Sequence, residues 1–324
     1  MTPPRSILVT GSAGFIGSQF VSAFKKRFPK TAIAGIDDFS TGRRDAVNPG
    51  ISFYEGSVCD TALLERIFKK HRPEYVFHFA AVPRVAYSVA HPTETTIANI
   101  VGTVALLETS HAHKVKRFVY SSSSSIYGGA KKLPTREIEN PPKPISPYGL
   151  QKYTGEPFCK IFSDLFQLDT VSLRYFNVFG PGQYGGSAYA TVICNWLEGL
   201  YLPEKAEKPF LEGDGGQTRD FCFVGNVVEA NILAMLSKKR FNGEAFNIAH
   251  GERTDLMTVK HLIEKFTGKR LPLEKRPPRL GDVRHTHADI RKARVWFGYE
   301  PAVDFETGLR ETIEWFKIRA KSRS

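Results

Sequence analysis

A parallel, doubly wound α/β sheet is the fold this 324-residue sequence predicts, on three observations. A short apolar run, Ser6–Thr10, leads at once into Gly11-Ser-Ala-Gly14-Phe15-Ile16-Gly17, and Ile16, Phe20, Phe24 and Phe28 then recur every four residues. This is strand, glycine turn and helix, the context in which glycines let the backbone approach a pyrophosphate at a helix N-terminus. A second apolar run, Ala32-Ile-Ala-Gly-Ile36, ends in Asp37-Asp38, 20 residues beyond Gly17. An acid there can bind both hydroxyls of an adenosine ribose and repel a 2′-phosphate. Finally, strand-like and helix-like stretches keep alternating, which sends ligands to the C-terminal ends of parallel strands.

Each later element follows from its local pattern. Tyr75-Val-Phe-His-Phe79 reads as a strand. Ile97, Ile100, Val101, Val104 and Leu107 mark one apolar helical face. Phe118-Val-Tyr120 is the next strand and runs into five serines, Ser121 to Ser125. Ser146 suits an N-cap and Pro147 the first helical position, so a helix begins there. Tyr148 and Lys152 then lie one turn apart on one face. An ammonium at that distance favours a phenolate, which makes the pair a proton-transfer device; alone, such a pair also occurs as an ordinary surface contact. Pro157 falls inside this helix and predicts a kink. Thr170-Val-Ser-Leu-Arg-Tyr-Phe176 and Ala245-Phe-Asn-Ile-Ala249 are further strands.

From Phe179 the texture changes to loops rich in Gly, Pro and charge, with helical stretches near 192–200 and 309–316. The division expected is a dinucleotide-binding domain of residues 1–177 and 222–250, and a smaller α/β substrate-binding domain of residues 178–221 and 251–324. Arg43 and Arg44, in the loop after Asp37, leave room for a 2′-phosphate and temper the preference for NAD over NADP.

Composition narrows the function classes. Hydrophobic residues make up 41% and charged residues 24%, as in ordinary soluble domains, and no apolar run reaches the length of a membrane span. The N-terminus has no signal-peptide pattern, and Cys59, Cys159, Cys194 and Cys222 are too scattered for a disulfide framework. A cytoplasmic protein is expected. The net charge of +12 suits an anionic partner or a basic solvated surface, but no basic arm or aromatic-basic repeat of a nucleic-acid module is present. His111 with His113, and His285 with His287, lack the i, i+4 spacing of a helical zinc site, so no metal is expected.

Glycine fingerprint, serine run and Tyr-x-x-x-Lys helix occur in the order used by short-chain dehydrogenase/reductases. The chain resembles extended members of that superfamily, with the Rossmann fold this implies, and among them the nucleotide-sugar 4-epimerases, especially UDP-N-acetylglucosamine 4-epimerases. The resemblance rests on residues 11–17, Asp37-Asp-Phe-Ser-Thr-Gly42, His78-Phe-Ala-Ala81, 121–128, 146–152, Arg174-Tyr-Phe-Asn-Val-Phe-Gly180, 213–223, Phe246-Asn-Ile-Ala249 and 281–289. It implies Ser123, Tyr148 and Lys152 as catalytic residues, the last two also touching the cofactor. NAD would be held by Gly11, Gly14, Phe15, Ile16, Gly17, Asp37, Ser57, Val58 and Asn99. The position of Ser57 is Asp in many relatives. Asn177, Arg219, Arg279, Asp282 and Thr286 would face the UDP-sugar. At the position of Thr286, relatives restricted to plain hexoses carry Tyr; a small residue leaves room for an N-acetyl group. A homodimer through the helices after Thr93 and Pro147 is also implied.

Dehydratases and decarboxylases on this scaffold carry acids just after the catalytic serine or threonine, where this chain has Ser124 and Ser125. A UDP-glucuronate 4-epimerase, which shares the serine run, is the enzyme alternative. A non-catalytic nucleotide-binding protein of the same fold is the alternative from another class.

Overall fold

The computed structural model describes residues 3–185, 191–204, 207–277 and 283–321. The first half alternates strand and helix: β1 (Ser6–Thr10), α1 (Phe15–Arg27), β2 (Ala32–Asp37), β3 (Ser52–Glu55), α2 (Thr61–His71) and β4 (Tyr75–His78). Two short helices, α3 (Val85–Ala90) and α4 (Pro92–Thr96), lead through a π-helical turn, Ile97–Val101, into α5 (Gly102–Ala112). Then come β5 (Arg117–Ser123), the long α6 (Pro147–Phe166) and β6 (Thr170–Tyr175).

Seven parallel strands form one sheet, in the order β11-β6-β5-β4-β1-β2-β3, where β11 is Glu244–Ile248. β1 pairs with β2 on one side and with β4 on the other. The chain direction across the sheet reverses there, and the reversal opens a crevice at the strands' C-terminal ends. All residues of β1 and β6 are buried, as expected of strands covered on both faces. One face packs α1 and a helix at Val224–Leu236, and the other packs α2, α5 and α6. A third apolar cluster, away from the sheet, centres on Phe179, Trp196, Phe221, Leu309 and Phe316.

After β6 come β7 (Val178–Phe179), α7 (Val192–Tyr201), β8 (Phe210–Glu212), β9 (Thr218–Arg219) and β10 (Cys222–Phe223), of which β7, α7 and β8 feed that third cluster together with Phe221, Phe223 and two later helices. The chain then returns to the sheet with α8 (Val224–Leu236) and β11. It finishes with β12 (Thr254–Asp255), α9 (Leu256–Thr267), β13 (Glu274–Arg276), α10 (Arg291–Phe297) and α11 (Phe305–Lys321). Three two-stranded pairs, β10-β7, β12-β9 and β13-β8, tie these segments together.

One expectation needs correction. The face predicted from Ile97, Ile100, Val101, Val104 and Leu107 does not point inward as a unit, since Ile97 and Val101 are about half exposed. The π turn inserts an extra residue into that winding and rotates the face, so Thr95, Asn99 and Thr103 go inside instead. Pro157 lies inside α6, which runs as one helix from Pro147 to Phe166. The proline side chain is exposed.

Candidate active site

One cleft of about 930 Å3 runs from the C-terminal ends of β1 and β2 across to β9 and the segment after residue 283. At its first end lies the glycine turn. Gly11 has φ +66, and a Cβ there would sit 2.7 Å from the Ala80 nitrogen; one on Gly17 would sit 2.0 Å from the Gly11 carbonyl oxygen. Only hydrogen fits at either position. The turn therefore lies flat, and α1 starts at Gly14 with no side chain capping its first N–H groups. Gly11, Gly14, Phe15, Ile16 and Gly17 all line the cleft. A bare turn with free helical N–H groups fits a dinucleotide pyrophosphate.

Asp37 closes β2 and is 7% exposed. Its carboxylate accepts from the backbone N–H groups of Ala13 and Phe39, each at 2.9 Å. Burial raises its pKa, and those two bonds oppose the rise. The arginines that left NADP open are both engaged. Arg43 forms a two-bond pair with Asp45 and stacks on Tyr184, and Arg44 does the same with Glu55 and Phe39. The residues at this end fit NAD. Ser57 and Val58 line the cleft, and the Ser57 hydroxyl accepts from the Cys59 N–H.

Asn99 is buried next to Ala98, which lines the cleft. Its amide donates to the Val82 carbonyl and to Gln151, and accepts from the Val82 N–H at 2.8 Å. It joins the loop after β4 to α6.

The serine run and α6 meet in the middle of the cleft. Ser146 caps α6 by accepting from the Gly149 N–H, with Pro147 first in the helix, as its sequence predicted. The Tyr148 N–H donates to the Ser88 hydroxyl on α3, which fixes the helix start. Ser123, at the end of β5, lines the cleft with Tyr148 and Lys152. Its hydroxyl accepts from both the N–H and the hydroxyl of Ser125. The Lys152 ammonium donates to the Ser121 carbonyl at 2.8 Å.

Burial dominates the ionisation of both catalytic candidates, and in opposite senses. It pushes the Tyr148 phenol up to about 12, against a smaller opposing effect from the Ser123 hydroxyl. It pulls Lys152 down to about 7. The simple expectation that an ammonium one turn away lowers the phenol is thus outweighed by desolvation, which disfavours both charges.

At the far end, Asn177, Arg219 and Thr286 line the cleft. Asn177 donates to the Thr286 hydroxyl oxygen at 2.9 Å and to the Asp220 carbonyl. The Thr286 oxygen also accepts from the Asp220 N–H at 3.0 Å. Arg219 donates to the carbonyls of Thr218 and Arg284. Arg279 and Asp282 lie outside the described residues.

Sequence reasoning gave Asp220 no role. Fully buried, its carboxylate accepts from the N–H groups of His250, Gly251 and Ala288, so it gathers three loops behind Arg219 and Thr286. Burial pushes it up to about 7, against those bonds. A second omission was the buried pair of Glu156 and Arg174. Glu156 continues the four-residue spacing of Tyr148 and Lys152, and that spacing is the signal that could have found it.

The paired histidines have ordinary partners: His111 stacks on Phe166, His113 meets Glu65, His285 meets Thr218 and His287 meets the Gly251 carbonyl. Among the described residues no helix is long and apolar enough to cross a membrane.

Comparison with known proteins places these features. The NAD dependent epimerase/dehydratase family matches residues 7–249. A UDP-glucose 4-epimerase of Thermotoga maritima, solved with UDP-glucose, is 39% identical with a TM-score of 0.90, covering 97% of this chain and 99% of that one. A UDP-N-acetylglucosamine 4-epimerase of Methanobrevibacter ruminantium, solved with UDP-N-acetylmuramic acid, is 34% identical with a TM-score of 0.89, covering 98% and 100%. A UDP-glucuronic acid 4-epimerase of Bacillus cereus, solved with UDP-glucuronic acid and NAD, is 30% identical with a TM-score of 0.86, covering 97% and 99%.

Proposed function

The chain belongs to the NAD-dependent epimerase/dehydratase family, and on that footing we propose that it is a UDP-hexose 4-epimerase acting best on UDP-GlcNAc and UDP-GalNAc and also on UDP-glucose and UDP-galactose. The observation that carries this is the composition of the reactive end. Ser123, Tyr148 and Lys152 meet there, and the acids among the described lining residues, Asp37, Asp38, Glu198 and Glu212, all come from other segments than β5, α6 and the turns beside them. A site with one acid-base group suits a reaction that takes a proton off O4 and returns it. A dehydratase needs a second such group near C5.

NAD supplies the hydride acceptor and donor for C4. In this reading the Tyr148 phenolate takes the O4 proton and later gives it back, while the Ser123 hydroxyl steers O4 toward it. Lys152 contributes positive charge beside the phenol. Arg219 faces the diphosphate, for which a planar guanidinium is suited, and residues 178–221 and 251–324 form the sugar-nucleotide half. Between proton removal and return the 4-keto sugar turns over, so hydride would return to the opposite face of C4 while the proton goes back to O4.

UDP-glucuronate is the second reading, and Arg84 favours it. Arg84 lines the cleft one helical turn before Ser88, and its guanidinium has no hydrogen bond or ion pair among the described residues. It is free to meet a sugar carboxylate.

One preparation tests these readings together. Denatured protein should release NAD, and the native protein should interconvert the GlcNAc/GalNAc pair faster than plain and glucuronate pairs, as resolved by chromatography. NADP as the main released nucleotide, or turnover of glucuronate alone, would refute the leading reading.

We also propose a cytoplasmic homodimer. The cysteines are free thiols, and Ile97, Val101, Leu150, Ile161 and Leu165 are exposed along α6 and the segment leading into α5. A stripe of that kind is the usual mark of a helical interface. Sedimentation at the monomer mass at micromolar concentration would exclude it.

A further inference from the structure

Resting on the epimerase reading above, we propose that Glu156 is a positioning residue for catalysis: through Ser122 and Arg174 it sets where β5 carries Ser123 relative to Tyr148 and Lys152 on α6. Tyr148, Lys152 and Glu156 follow one another at four-residue spacing, and each meets one of three consecutive serines. Tyr148 lies by Ser123, the Lys152 ammonium holds the Ser121 carbonyl at 2.8 Å, and the Ser122 hydroxyl donates to Glu156 at 2.5 Å. The serine run is thus a row of attachment points between strand and helix.

Glu156 also receives two bonds from Arg174, at 2.9 and 2.7 Å. Arg174 is the direct register partner of Ser122 on β6, and Asn247 is the register partner of Arg174 on β11. Arg174 donates on to the Tyr127 hydroxyl, which donates to Asn247, both at 2.7 Å. One buried network therefore links α6, three adjacent strands and the turn that follows Ser123. Both charged residues are 6% exposed.

Stability is a poor reason for such a pair, because desolvating two charges costs about as much as their attraction returns. Position is a better one. The pair has a fixed two-bond geometry, and it ties α6 to β5 one residue from Ser123. A displacement of about 1 Å between reacting groups costs roughly 10²-fold in rate.

Glu156→Gln would leave Arg174 buried without its counter-charge and can fail to fold, so two milder variants carry the test. Ser122→Ala keeps the ion pair and removes only its link to β5. The double variant Glu156→Met with Arg174→Met removes the network without stranding a charge. Each is assayed as the full, NAD-loaded protein for kcat, KM, released NAD and thermal midpoint. The proposal expects kcat to fall about 10-fold in Ser122→Ala and about 10²-fold in the double variant. KM and NAD content should stay within about two-fold in both, since Ser122 borders the cleft but is 2% exposed, with its hydroxyl directed at Glu156. Folded variants with parental kcat, or with kcat and KM changed together, would reduce the network to a structural role and overturn the proposal. A parent inactive on every UDP-sugar would instead overturn the epimerase reading and this proposal with it.

Discussion

Tyr148→Phe is expected to cut kcat by about 10²–10⁴-fold while UDP-sugar binding stays near that of the parent. The phenol is buried and lines the cleft between the serine run and α3. Replacing it with a ring of the same shape removes a proton carrier and little else. Epimerisation resolved by chromatography measures the first part of the claim, and calorimetry with UDP-sugar measures the second. Near-parental turnover would place the base elsewhere.

The pH profile adds a sharper form of the same prediction. In the proposed reaction the productive pair is a Tyr148 phenolate beside a Lys152 ammonium, with burial placing the separate groups at about 12 and about 7. Below about 7, lysine is charged and the phenolate fraction grows about tenfold per pH unit, so kcat/KM should rise. Above that value each gain in phenolate is matched by a loss of ammonium, and the curve should level. These limits belong to the coupled pair rather than to either residue. Lys152→Met should lower the rate and keep rising past the point where the parent levels. Tyr148→Phe should lose the rise altogether.

How far the sequence reveals such a site depends on whether the cause is local. The glycine turn, the strand before it and the cap on α6 are set by neighbours in the chain, so spacing and residue type were enough. Ser146 and Pro147 start the helix because the N–H of Gly149 needs an acceptor and a proline needs a place without a donor. Features set by distant parts of the chain were illegible. Arg43 and Arg44 looked available for a phosphate until the fold brought Tyr184 and Glu55 to them. The π turn that buries Asn99 against Val82 and Gln151 left no sign in the apolar spacing of residues 97–107. The direction of the Tyr148 shift was missed for the same reason, because an i, i+4 lysine is visible in a sequence and the burial of both groups is not.

Thr286→Tyr should separate the substrates. In the structure Thr286 lines the cleft and also holds it together, since its hydroxyl oxygen accepts from Asn177 and from the Asp220 N–H. A tyrosine there does two things at once. It places a ring where a sugar N-acetyl group would go, and it leaves the Asp220 N–H without its acceptor, which costs about 1–3 kcal/mol at a buried site. Thr286→Val tells the two apart, because it keeps the size and loses only the hydroxyl. If Thr286 is the gate, tyrosine should lower kcat/KM for the N-acetylated pair by about 10²-fold or more and largely spare plain UDP-glucose and UDP-galactose. A wall of atoms excludes a substituent more strongly than a lost contact weakens one. Valine should then reduce both pairs alike and modestly, reporting the slackened Asn177 and Asp220. Equal losses on both pairs in the tyrosine variant would mean that the hydroxyl matters and the volume does not, and the N-acetyl specificity would have to be sought in another residue of the cleft.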